Sequence, residues 1–250
     1  MNLYGLIGFP LGHSFSVRFF TEKFEREGIA ARYLNFEIPT IGQLPEIIRE
    51  HPDLHGLNVT IPYKQAVLPL LDTLSEEAGK IGAVNVIRIR HEGGIVLTEG
   101  HNTDVIGFSR SICPLLGPGH KRALILGTGG ASRAVDFGLR RLGITPTFVS
   151  RTHRNGEPYG TLTYNELTPE KMEENTVIVN CTPIGMHPHT DEAPALPYEE
   201  IDSSHLLYDL IYNPRETEFL RRGAQQGAIT KNGLEMLHLQ AIAAWEIWQG

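Results

Sequence analysis

Cysteine is scarce. Only Cys113 and Cys181 occur in 250 residues, which excludes a disulfide framework, and their spacing suits no metal site. A reducing, cytoplasmic compartment is the expectation. Positive charge is also short, with 22 Lys and Arg against 29 Asp and Glu and a net charge of -7. A nucleic-acid binder needs a basic footprint to displace counterions, so nucleic acid is not an expected partner. An anionic ligand has to be held by local cations and not by the overall field. No apolar run reaches the ~20 residues that span a bilayer. Met1 to Pro10 is apolar but has no basic start and no cleavage pattern, so it reads as a strand and not a signal peptide. The 26 glycines and 16 prolines show no period, which excludes collagen and argues against a flexible linker. Hydrophobic residues at 41% and charged residues at 20% are those of a globular chain.

What is present is an alternation of strand and helix patterns. Leu3 to Gly8, Ala31 to Glu37 and Gly56 to Thr60 read as strands, and Ser16 to Glu27 and Ile41 to Arg49 as helices. Ile81 to Arg90 and Gly94 to Glu99 flank a glycine-containing turn and predict a hairpin. After Asn102 the pattern changes. Asp104 to Leu116 predicts a helix, and Arg122 to Leu126 a strand buried on both faces. Thr147 to Ser150, Val177 to Asn180 and Leu206 to Leu210 repeat that strand type, which is the signature of a doubly wound parallel sheet. Leu234 to Trp248 predicts a last helix, with Leu234, Leu237, Ala241, Ala244 and Trp248 on one stripe. Boundaries near Asn102 and Lys231 divide the chain into two α/β domains, 1–102 plus 231–250 and 103–230.

Two segments carry binding chemistry by themselves. Leu124 to Ala134 joins a buried strand to a helix through Gly127-Thr128-Gly129-Gly130-Ala131. Gly127 permits a tight turn, and Gly129 and Gly130 let the backbone approach a pyrophosphate. Small Ala131 and Ala134 allow close helix–sheet packing, and the helix start offers unpaired N–H groups to an anion. Ser132 stands where the fingerprint usually has its third glycine. The next strand ends in Ser150-Arg151-Thr152-His153-Arg154. An NAD site places a carboxylate there for the ribose 2′-hydroxyl. Guanidiniums and hydroxyls suit a 2′-phosphate instead, so the expected cofactor is NADP, held by Ser150, Arg151, Thr152 and Arg154.

Lys64 follows a proline-stiffened corner in Asn58 to Lys64, and Asp104 closes Gly100-His101-Asn102-Thr103-Asp104 at the domain boundary. A lysine can protonate and polarise a carbonyl that receives hydride, with a carboxylate to orient it. Taken singly, each is more often a surface charge, and spacing alone does not pair them.

Here a resemblance enters. Gly8 to Ser16, Asn58 to Lys64, Gly82 to Asn85, Gly100 to Asp104, Gly127 to Ala131, Arg151 to Arg154, Asn180 to Met186, Asp209 to Leu220, and Gly233 to Met236 with Gln240 resemble, in order, the motifs of the shikimate dehydrogenase family. The resemblance implies an α/β substrate domain, a Rossmann-like NADP-binding domain and a terminal helix returning to the first domain. It implies NADPH-dependent reduction of 3-dehydroshikimate, a step toward chorismate and aromatic amino acids. It makes Lys64 and Asp104 the catalytic pair. Ser14 and Ser16 would hold the substrate carboxylate, with Tyr212 near that end, and Thr60, Asn85 and Gln240 would bind ring hydroxyls. Thr182, Met186, Leu210 and Gly233 would line the cofactor. Departures are Val17 for a usual proline, Gln65 for a common glutamate, Ser150 for a frequent asparagine, and a short stretch between Thr152 and Asn175. His187, His189 and Asp191 read as a solvated loop and no metal is expected. Cys181 reads as a small hydrophobe, and Trp245 and Trp248 as packing. A quinate/shikimate dehydrogenase would carry an acid where Ser150-Arg151 stands, and a regulatory module would have lost Lys64 or Asp104. An aminated ring as substrate stays open, as does the choice of monomer or homodimer.

Overall fold

The computed structural model describes residues 1–12, 15–153 and 161–250. Ser14 and Arg154, both expected ligand contacts, lie outside the described residues, as does His13. The chain divides into Met1–Thr103 with Ala241–Gly250, and Asp104–Gln240.

In the first unit the strands are β1 (Asn2–Gly8), β2 (Ala31–Glu37), β3 (Leu54–Val59), β4 (Thr73–Leu74), β5 (Val86–Glu92) and β6 (Ile95–His101). The helices are α1 (Phe15–Glu27), α2 (Leu44–Glu50), α3 (Tyr63–Ala66) and α4 (Glu76–Ile81). The sheet order is β2-β1-β3-β5-β6-β4. β1 runs parallel to β2 and β3, while β5 runs antiparallel to β3 and β6. The period-2 pleat explains how β1 is buried on both sides. Leu3 and Ile7 join the core with Leu44 and Ile47 of α2, and Tyr4 and Leu6 join Phe20 and Phe24 of α1. The expected hairpin turns on Gly93 and Gly94, both at positive φ, the backbone that a two-residue primed turn demands.

The strand expected from Ile81 begins instead at Val86. Ser75 accepts a hydrogen bond from the Ala78 amide, and Gly82 closes α4 at φ 68°. A capped start and a left-handed glycine stop thus make Glu76–Ile81 a helix.

The second unit contains strands β7 (Arg122–Leu126), β8 (Thr145–Ser150), β9 (Thr161–Thr163), β10 (Val177–Asn180), β11 (Leu206–Asp209) and β12 (Ile229–Lys231). Its helices are α5 (Asp104–Ile112), α6 (Gly130–Arg141), α7 (Pro169–Glu174) and α8 (Glu218–Gln225). The last helix, α9 (Leu234–Gln249), starts in this unit. The order is β12-β11-β10-β7-β8-β9, and every pairing is parallel. Ala123–Leu126, Val177–Asn180 and Leu206–Asp209 have no exposed surface, which accounts for their unbroken apolar runs. α5 stops at Ile112, short of the expected Leu116, and a 3-10 turn over Cys113–Leu115 follows. Pro114 has no N–H to continue the helical ladder.

The final residues of α9 pack within the first unit. The Trp248 indole donates to the Ile87 carbonyl at 3.0 Å and stacks on Tyr4 at 4.9 Å. Gly56 leaves room for it, since a Cβ there would lie 2.2 Å from the indole nitrogen. Among the described residues no helix is long and apolar enough to cross a membrane.

Candidate active site

In the first unit the functional groups gather where β1 and β3 end. Gly8 has no side chain, and a Cβ there would sit 2.5 Å from the Thr60 methyl. Thr60 is held by its amide on the Ile7 carbonyl at 2.9 Å. The chain then turns through Pro62 into the single turn of α3, which carries Lys64 half-buried. Tyr63, next to it, anchors the turn through its hydroxyl on the Ile38 carbonyl at 2.5 Å. The Lys64 carbonyl accepts from Val84 N at 2.7 Å, and the Asn85 carbonyl accepts from Val59 N at 2.8 Å. Lys64 and Asn85, 21 positions apart in sequence, are thereby locked to one strand end. The Asn85 amide is oriented by Thr103. Its Oδ1 accepts from Thr103 N at 2.7 Å and its Nδ2 donates to Thr103 Oγ1 at 3.0 Å.

Ser16, in the first turn of α1, is hydrogen-bonded to Tyr33. The Tyr33 hydroxyl donates to Asn58 Oδ1 at 2.7 Å, and Asn58 Nδ2 donates to the Asn85 carbonyl at 3.4 Å. This brace ties α1 and β2 to Asn58 and Asn85 at the end of β3. Tyr33 carried no sequence signal, because a tyrosine inside a strand reads as core. Burial raises its pKa and keeps the hydroxyl a donor.

In the second unit Asp104 opens α5 and is 5% exposed. Gly107, three residues on and so on the same helical face, lets α5 touch α9. A Cβ on Gly107 would be 2.5 Å from the Met236 carbonyl and 3.1 Å from Gln240 N. Asp104 and Gln240 therefore sit on abutting faces, and Gln240 Nε2 donates to the Leu237 carbonyl at 3.0 Å. The last turn of α5 is fixed by Ser111, whose hydroxyl meets that of Tyr208 at 2.6 Å. Tyr212 lies exposed beyond β11.

The glycine turn leaves β7 at the point where the sheet order reverses, between β7 and β10. Such a switch point is where an open α/β sheet binds its ligand. Gly127 has φ 98°, a conformation costly for any other residue. A Cβ on it would lie 3.0 Å from Thr182 Cγ2, so Thr182 abuts the turn. A Cβ on Gly129 would meet nothing within 4 Å, so the space over the turn is open. Gly130 and Ala131 begin α6, whose first turn holds no acidic residue. The Ser132 hydroxyl donates to the Gly129 carbonyl at 2.7 Å and so leaves the helix-start amides to an anion. This donor set fits a pyrophosphate. Arg151 and Thr152 are exposed after β8, and the Ser150 hydroxyl donates to the Thr152 carbonyl. His153 is turned away onto the Thr161 carbonyl at 2.9 Å and Glu166 at 3.3 Å.

Met186 is exposed in the loop after β10. Leu210 N donates to the Asn180 carbonyl at 3.0 Å. A Cβ on Gly233 would lie 2.1 Å from the Leu210 carbonyl, so α9 starts in contact with that backbone. Cys181 packs against the apolar core. Among the described residues no group of three or more His, Cys, Asp and Glu could hold a metal.

A family model described as shikimate dehydrogenase substrate binding domain matches residues 6–87. A shikimate dehydrogenase (NADP(+)) of Carboxydothermus hydrogenoformans is 37% identical over 100% of this chain and 92% of its own length. A shikimate 5-dehydrogenase of Thermus thermophilus, solved with NADP(H) and shikimate, covers 100% of this chain and 94% of that one at 33% identity and TM-score 0.86. A quinate dehydrogenase of Corynebacterium glutamicum, solved with NAD, covers the same shares at 29% identity and TM-score 0.85. Near-complete coverage in both directions extends the likeness over both sheets, and on that ground the chain belongs to the shikimate dehydrogenase family.

Proposed function

We propose that this protein is an NADP-dependent shikimate dehydrogenase that reversibly reduces 3-dehydroshikimate to shikimate in chorismate and aromatic amino acid biosynthesis. The observation that carries the reading is the open glycine turn at the switch point, followed one strand later by Arg151, with no carboxylate among Ser150 to His153. Gly127, Gly129, Gly130 and Ala131 would cradle the pyrophosphate. Ser150, Arg151, Thr152 and Arg154 would hold the 2′-phosphate, since a guanidinium offers paired donors to it. Thr182, Met186, Leu210 and Gly233 would border the rest of the cofactor. Bound NADPH supplies the hydride.

The protein's own task is to manage the proton and the ring. The Lys64 ammonium donates to the carbonyl oxygen as negative charge develops there, and takes the proton back in the reverse direction. Asp104 would accept from a ring hydroxyl. Thr60, Asn85 and Gln240 bind further hydroxyls. Ser14 and Ser16 meet the substrate carboxylate, with Tyr212 near that end. A chain with this chemistry and two cysteines suits the cytoplasm.

The test is an assay of the purified protein with shikimate or quinate, each with NADP or NAD. Shikimate with NADP should be oxidised, and the other three combinations should be slower by about 100-fold or more. Equal rates with NAD would refute the phosphate loop, and a preference for quinate would refute the substrate.

A further inference from the structure

Asp209 is a buried carboxylate that the chemistry above does not use. It closes β11 with no exposed surface. Burial pushes its pKa up to about 6 against the pull of its donors, so near neutral pH it is a charge kept in the core. Among the described residues three groups donate to it: Asn180 Nδ2 at 3.1 Å, Ile211 N at 3.0 Å and Thr217 Oγ1 at 2.6 Å. None is cationic. A buried anion with only neutral donors is a costly way to fill the end of a strand, which raises the question of what it holds in place.

Asn180 gives the answer. It closes β10, the neighbouring strand, and is also fully buried. An asparagine side chain has a donor end and an acceptor end, and either could face a neighbour. A carboxylate only accepts, so Nδ2 must face Asp209, and the longer contact of Nδ2 with the Ile184 carbonyl at 3.4 Å favours the same end. Oδ1 is then committed to the other side, where it accepts from Thr182 N at 3.0 Å and Thr182 Oγ1 at 2.7 Å. Thr182 Oγ1 accepts in turn from Ile184 N at 3.3 Å. The methyl of Thr182 is the group that abuts the Gly127 turn. The route from Asp209 through Asn180 and Thr182 to Gly127 thus follows the ends of β11, β10 and β7, three adjacent strands.

We propose that Asp209 is a positioning residue for the cofactor: its carboxylate anchors the Asn180 amide as the charged acceptor of Nδ2, and the amide holds Thr182 against the glycine turn. The proposal rests on the NADP reading above. Asp209 touches neither substrate nor cofactor and acts through Asn180.

The experiment titrates NADP into the full chain without shikimate, comparing wild type, Asp209→Asn, Asn180→Ala and the double variant. Asp209→Asn keeps the size but removes the charged acceptor from Asn180 Nδ2, leaving only the Ile184 carbonyl and the Thr182 N–H to orient the amide. It should weaken NADP binding about tenfold, the scale of one to two lost hydrogen bonds, with the shikimate KM within about twofold of wild type. Asn180→Ala should lose a similar amount, and adding Asp209→Asn to it should cost less than about twofold more, as expected of residues in one chain of contacts. General loosening would instead raise both KM values and make the losses multiply. Wild-type NADP affinity in Asp209→Asn, or multiplying losses, overturns the proposal while leaving the cofactor reading intact. A wild-type chain that binds no NADP overturns both. Should Asp209→Asn fail to fold, Thr182→Val reads the far end of the route, and unchanged NADP affinity there overturns the proposal as well.

Discussion

The first sheet mixes parallel and antiparallel strands, and its β3 runs out into Thr60 and Lys64; the second is parallel throughout, and its β7 runs out into Gly127. At the end of β3 the backbone is already engaged, with the carbonyls of Lys64 and Asn85 accepting from Val84 and Val59. Only side chains remain to meet a ligand. At the end of β7 three of the four residues Gly127 to Gly130 have no side chain, the space over Gly129 is open, and backbone N–H groups remain. One unit therefore offers chemistry that depends on which atoms a side chain carries. The other offers a surface that depends on shape. The two should fail differently when altered.

The largest effect belongs to the first unit. Lys64→Ala should lower turnover by about three to five orders of magnitude, by loss of the proton donor and of its charge near the developing alkoxide. Steady-state kinetics at saturating substrates would show it, and near-normal turnover would remove the lysine from the mechanism. In the second unit Gly127→Val adds a β-branched side chain at positive φ and drives it into Thr182. NADP binding should weaken by about 10- to 100-fold, the scale of 1–3 kcal/mol of backbone strain, while the shikimate KM stays near wild type. A variant losing shikimate and NADP affinity together would break the division between the sheets.

The smallest effect is on stability. The folded value of Asp209, about 6, lies above the ordinary carboxylate value of 3.8. A raised acid stabilises the fold in its protonated form, so the contribution is complete below the unfolded value and is lost as pH rises through the folded one. Relative to Asp209→Asn, wild type should lose on the order of 1–3 kcal/mol between about pH 4 and pH 7. Urea unfolding at each pH measures it. A difference that stays flat across that range would mean the carboxylate is ionised throughout.

Where local rules decide, the sequence was readable. The apolar run Arg122–Leu126, the glycines after it and the hairpin follow from residue type alone, although the hairpin turns on Gly93-Gly94 and not on His91-Glu92-Gly93. α4 was missed although Ser75 and Gly82 mark both its ends, because six residues give no periodicity. β4 and β9, of two and three residues, are too short for any pattern. The motifs named the candidate side chains, but not what holds them. The brace from Ser16 through Tyr33 and Asn58 joins residues 25 apart, and Gly107 matters only because α9 lies against it. Asp209 reads as one more acid at a strand end until its three neutral donors are seen. Such tertiary partners leave no mark on spacing.

The most direct measurement sets turnover beside NADP affinity in Lys64→Ala and Gly127→Val. The account predicts a crossed result. Lys64→Ala should bind NADP within about twofold of wild type yet barely turn over, and Gly127→Val should bind NADP poorly yet recover most of its turnover at saturating cofactor. Lys64→Ala that turns over normally, or Gly127→Val that binds NADP as tightly as wild type, would contradict it.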